Sequence, residues 1–85
     1  MSKLQVIGIY VGDRKQEALD VQKILTNYGC SIKTRIGLHE VSEEFCSSCG
    51  LILIELTGNQ QERDNLIASL DAIGNIQVKR MEFDA

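Results

Sequence analysis

His39, Cys46 and Cys49 fall within one stretch of eleven residues and account for the only histidine and two of the three cysteines. Thiolates at Cys-x-x-Cys spacing can share one metal ion, and an imidazole shortly upstream can supply a third ligand. That donor set suits zinc, iron and nickel alike, and geometry rather than residue type would choose among them. Glu40, Glu43, Glu44, water or another subunit would fill the fourth position. Cys30 would not: it opens the preceding strand, about eight residues away, which at ~3.3 Å per residue is roughly 26 Å. A redox disulfide between Cys46 and Cys49 is a second chemistry, although a reactive Cys-x-x-Cys normally sits at a helix N-terminus that lowers its thiol pKa. Here an apolar strand follows. The plain alternative is a polar hairpin with small residues at its tip.

The elements around this loop are legible from their apolar spacing. Leu4 to Val11 is apolar and β-branched, which predicts a buried strand ended by Gly12-Asp13. Asp13, with Gln16 three residues on, predicts a helix cap. The helix that follows places Ala18, Val21, Leu25 and Tyr28 on one face, with Ile24 beside them, and Gly29 suits a left-handed helix end. Cys30 to Leu38 alternates, with Ile32, Thr34, Ile36 and Leu38 on one side and Lys33 and Arg35 on the other. Residues 39–49 then form the hairpin loop. Leu51 to Leu56 is apolar on both parities except at Glu55. After the turn Thr57-Gly58-Asn59, Asn59 and Glu62 make a capping box. Leu66, Ile67, Leu70 and Ile73 form a helical stripe that Gly74 stops. A last strand begins at Ile76, and its phase breaks at Lys79-Arg80. Either a bulge or an outward-facing apolar end, carrying Met81 and Phe83, would account for the break.

This order is βαββαβ, an α+β ferredoxin-like sandwich with antiparallel strand order 4-1-3-2. The two strands apolar on both parities take the central places and the two alternating ones the edges, so local pattern and topology agree. Both helices then cover one sheet face. Ile7, Ile9, Val11, Ile52, Ile54 and Leu56 are expected beneath them. Val6, Tyr10, Leu51 and Leu53 are left on the open face, rimmed by Lys33, Arg35, Glu55, Gln77 and Lys79. An apolar patch with a charged rim predicts a contact surface, and hence a homo-oligomer paired through the sheet face or edge to edge. Tyr10, Asp13, Arg14, Lys33, Arg35, Leu51, Leu53 and Glu55 are expected to meet a small ligand or an interface, so the chain reads as a sensing module or, alternatively, as an assembly module that offers its sheet to another protein and binds no ligand. Arg14, at the first helix start, suits an anionic group.

Whole-chain quantities narrow the function. Eighty-five residues predict one domain (1–85) with a thin core that oligomerisation would reinforce. The net charge of −3 argues against a nucleic-acid surface, and no apolar run approaches the ~20 residues that span a membrane. An odd cysteine count and the lack of a signal-peptide pattern in Met1 to Gln5 predict a reduced, cytoplasmic protein. No nucleophile–base pair or convergent pair of acids stands out, so a non-catalytic role is expected.

Val11-Gly12-Asp13-Arg14, followed by Ala18-Leu19, Val21, Ile24-Leu25, Gly29 and Ile32, resembles the ACT domain. That resemblance implies a ferredoxin-like regulatory module binding amino acids at an oligomer interface. Lys15 and Gln16 stand where the ACT turn usually carries a proline–glycine pair. The whole chain is similar to a family of short ACT-like bacterial proteins identified as iron-only hydrogenase system regulators. The residues that carry this are Ile7-Gly8-Ile9-Tyr10-Val11 with Asp13-Arg14, Arg35-Ile36-Gly37, Gly50 to Leu56 and Ile73-Gly74. That family is similar in fold to the C-terminal domain of the nickel-responsive repressor NikR, which is tetrameric through such domains. The resemblance carries over no metal ligand, and NikR's separate DNA-binding domain has no counterpart expected here.

Overall fold

The computed structural model describes residues 3–38 and 50–85. Six elements follow in order: β1 (Lys3–Tyr10), α1 (Lys15–Asn27), β2 (Ile32–Leu38), β3 (Leu51–Leu56), α2 (Gln60–Asp71) and β4 (Gln77–Asp84). The strands form one sheet in the order β2-β3-β1-β4, and every pairing is antiparallel. This is the expected ferredoxin-like topology, read from the opposite edge.

The core lies between the sheet and the two helices. Ile7, Ile9 and Val11 from the β1 segment, and Ile52, Ile54 and Leu56 from β3, are buried there. Val21 and Leu25 of α1 and Leu66, Ile67 and Leu70 of α2 close it. Ala18, Ile24, Tyr28, Ile32, Ile73, Ile76 and Val78 pack around the edge of this cluster. Burying each large aliphatic side chain contributes roughly 1.5–3 kcal/mol, which orients both helices onto one sheet face.

The two helix starts differ. Asn59 caps α2, its side-chain oxygen accepting from the Glu62 amide at 2.8 Å, as the spacing predicts. At α1 the N-cap is Arg14, not Asp13, and no side chain caps the helix. The reason is backbone geometry: Gly12 takes a positive φ of 68°, which carries the chain one residue further before the helix begins. Gly29 is not left-handed; α1 ends instead in a single 3-10 turn, Gly29–Ser31, that holds the exposed Cys30. Gly74 and Asn75 take positive φ in succession after α2, confirming the abrupt stop there.

Both edge strands carry a finding about phase. In β2 the register steps from Ile32↔Leu56 to Thr34↔Glu55, so Lys33 is an extra residue opposite β3. The bulge reverses the parity of the strand. Ile32 packs toward the helices, while Thr34 and Ile36 share the open face with Glu55 and Leu53. In β4 the register against β1 is continuous from Gln77 to Asp84. The phase change at Lys79-Arg80 is therefore no bulge: Met81 and Phe83 face outward.

Candidate functional site

The open sheet face can be written as rows of laterally paired residues. One row is Thr34, Glu55, Val6 and Met81; the next is Ile36, Leu53, Gly8 and Lys79. Leu51, Tyr10 and Gln77 form a third, and Leu4 with Phe83 a fourth. Tyr10, Ile36, Met81 and Phe83 are 47%, 48%, 51% and 53% exposed, so four large apolar side chains stand on a face that no helix covers. Leu53 leans toward Gly8: a β-carbon at Gly8 would lie 3.4 Å from its Cδ2. A contiguous apolar face of this kind marks a contact surface.

Glu55 is the charged centre of its row. It accepts from Thr34 Oγ1 at 3.4 Å and lies 3.9 Å from the Lys33 ammonium. Lys33 thus rims the open face. Arg35 does not. The bulge puts it on the helix side, where its Nη2 donates to Gln22 Oε1 of α1. Ile36, which the uninterrupted alternation placed with Ile32, joins the open face instead.

At the end of the sheet where β1 leads into α1, four residues converge. The Gly50 carbonyl accepts from the Val11 amide at 2.8 Å and the Gly12 amide at 3.2 Å. A β-carbon on Gly12 would lie 3.7 Å from the Tyr10 hydroxyl and 3.8 Å from Arg14 Nη1, and one on Gly50 would lie 3.7 Å from the Tyr10 ring. Arg14 Nη1 lies 3.5 Å from the Val11 carbonyl oxygen, a long contact that folds the guanidinium back over the turn. Tyr10 is therefore shared: it belongs to the open face and also to this turn. Asp13 is exposed in the same turn. Sequence spacing alone gave no sign that Gly50 belongs with Tyr10, Gly12 and Arg14.

His39, Cys46 and Cys49 lie outside the described residues. Among the described residues no group of three or more His, Cys, Asp or Glu side chains could hold a metal ion. A second buried feature went unread in the sequence. Gln5 shares the parity of Ile7 and Ile9, and is only 4% exposed. Its Nε2 donates to Glu82, and its Oε1 accepts from Gln60 Nε2 and Arg63 Nη1, both at 3.3 Å. That amide thus joins α2 to both β1 and β4.

The sandwich is ferredoxin-like, with both helices on one face of a four-stranded antiparallel sheet. No family model and no curated protein matches the chain. Among solved structures it is similar to the uncharacterized protein TM1266 from Thermotoga maritima, with 25% identity, a TM-score of 0.76 and coverage of 98% of this chain and 100% of that one. It is also similar to the regulatory subunit of aspartate kinase from Thermus flavus, at 13% identity and a TM-score of 0.54, over 96% of this chain and 51% of that one. CPII from Thiomonas intermedia K12, bound to ADP, AMP and acetate, aligns at 14% identity and a TM-score of 0.51 over 98% of this chain and 90% of that one. The last two likenesses concern the fold alone. No helix among the described residues is long and apolar enough to cross a membrane.

Proposed function

We propose that this chain is a small, non-catalytic regulatory module that self-associates through its open sheet face and senses a small ligand or metal near that interface. The observation that carries the reading is the face itself, where Tyr10, Ile36, Met81 and Phe83 stand exposed around Val6, Leu51 and Leu53. A chain of this size buries only roughly 60–65% of its unfolded surface alone, and covering such a face with a second copy adds to a thin core. Tyr10 links that face to the β1–α1 turn, so a ligand held by Tyr10 and Arg14 would feel the state of the interface. Two neighbours in fold, a kinase regulatory subunit and a nucleotide-bound PII-like protein, accord with such a role.

In its finest form the reading makes the module part of a hydrogenase system, as the resemblance of Ile7 to Val11 and Gly50 to Leu56 implies. His39, Cys46 and Cys49 would then be the metal donors, on the strength of their residue types and spacing. The test is twofold. Light scattering should give a mass above that of one chain. Thermal melts against the amino acids and against zinc, ferrous iron and nickel ions should single out one compound that stabilises the fold. A ligand at 100 times its Kd contributes about 2.7 kcal/mol, enough to raise Tm by ~10 °C or more in a domain this small. A monomer that none of these compounds stabilises would end this reading.

A further inference from the structure

β4 pairs with β1 on one side and, among the described residues, has no strand on the other. It is eight residues long, continuous in register and proline-free. Exposed strand edges of that kind invite pairing and are ordinarily blunted by a bulge, a proline or unmatched charge. The opposite edge, β2, has its bulge at Lys33. β4 does carry charge, but in a self-complementary order, basic before Met81 and acidic after it. From Lys79 to Asp84 it reads Lys79, Arg80, Met81, Glu82, Phe83, Asp84.

We infer that the free edge of β4 pairs antiparallel with β4 of a second copy, in the register centred on Met81, to make a continuous eight-stranded sheet. A two-fold axis normal to the sheet keeps both helix layers on the same side. It sets Met81 against Met81 and Arg80 against Glu82 of the second copy, twice over. On the open side it sets Lys79 beside Phe83 of the second copy, within reach of a cation–π contact. Neighbouring registers fail on charge. Centred on Lys79, Arg80 or Glu82, each places a like charge against its own image, which cross-strand pairing penalises.

The monomer leaves these groups available. Arg80 lies 3.7 Å from Asp71 with 53% of its side chain exposed, and Glu82, which accepts from Gln5 through Oε2, retains 44% exposure beside Lys3. Met81 and Phe83, the most exposed apolar residues of β4, fall at the seam, where each would shield the other's image. Met81 and Phe83 also belong to the open face, but the edge contact is made through the β4 backbone and about a different two-fold axis. The two together would build a tetramer, while the edge alone would build a dimer at the small end of interface sizes and so of modest affinity.

The experiment is a charge exchange read by sedimentation velocity, from micromolar to near-millimolar protein. Arg80→Glu leaves β4 with acids at both positions and Glu82→Arg leaves it with bases at both. Each variant alone should lose one doubling of mass relative to the unchanged chain. An equimolar mixture of the two should regain it, because both cross-copy pairs are then attractive, and high salt should weaken the mixed species. Recovery in the mixture also excludes loss of folding as the cause, and a urea melt of each variant checks this directly. Wild-type mass retained in either variant, no recovery in the mixture, or an unchanged chain that stays monomeric throughout would overturn the proposal. Ile36→Lys, three strands away on β2, reads the open face independently. If it alone lowers the mass, the face reading stands and the edge proposal falls.

Discussion

Gln5 Nε2 donates to Glu82 Oε2 across 2.9 Å, tying a buried amide of the central strand to the edge strand beside it. The same amide oxygen receives Gln60 and Arg63 from the start of α2. Gln5→Ala would strip three partners at once. Urea unfolding should show a loss of about 1–2 kcal/mol, the scale of a buried hydrogen-bond site left incomplete. No loss would mean that water replaces the amide freely.

The unlike helix starts predict unlike responses to the same kind of substitution. Asn59→Ala should cost about 1 kcal/mol, because the Glu62 amide loses its acceptor. Asp13→Ala should stay within ~0.5 kcal/mol, since Asp13 caps nothing. Equal costs in parallel denaturant titrations would contradict the assignment of Arg14 as the N-cap.

Gly12 is held at φ 68° between Tyr10 and Arg14. Gly12→Ala places a side chain in the left-handed region, which costs about 1–2 kcal/mol. The added carbon would meet the Tyr10 hydroxyl at an ordinary 3.7 Å, so the cost lies in the backbone. Any ligand that binds at this turn should lose affinity in the variant, and calorimetry with the stabilising compound from the thermal screen would show it.

Ile36→Lys should leave the monomer's unfolding free energy within ~0.5 kcal/mol, because the side chain is already half exposed. It should nevertheless lower the solution mass if the open face is a contact between copies. An unchanged mass would remove Ile36 from that contact.

Metal analysis of anaerobically purified protein should find about one zinc, iron or nickel per chain or per dimer. The metal should be absent from a Cys46→Ser/Cys49→Ser double variant, whose two thiolates are the expected donors. An equal metal content in both proteins would detach the metal from those cysteines.

The topology was legible because β1 and β3 are apolar on both parities, and only central strands need that. The helix faces followed from Val21, Leu25, Leu66 and Leu70. The reversal inside β2 was hidden, since Lys33 interrupts an alternation that runs on equally well across a bulge. At the end of β4, two solutions fitted the phase change, and only the pairing of Val6 with Met81 and Leu4 with Phe83 decided between them. The α1 cap misled because an aspartate three residues before a glutamine suits a cap wherever the backbone permits one. Here the preceding glycine moved the start to Arg14. The turn site is the least legible part: Tyr10 and Arg14 stand out as residue types, but Gly50 meets them only through a fold that brings distant segments together.

One oxygen atom, the Gly50 carbonyl, serves the amides of both Val11 and Gly12. Sliding β3 by a single residue along β1 would strip both amides of their acceptor and turn Ile52, Ile54 and Leu56 out of the core. The atom thus works as an alignment key for the central strand pair: whatever displaces the backbone at Gly50 must either leave that key engaged or give up the register of the whole sheet.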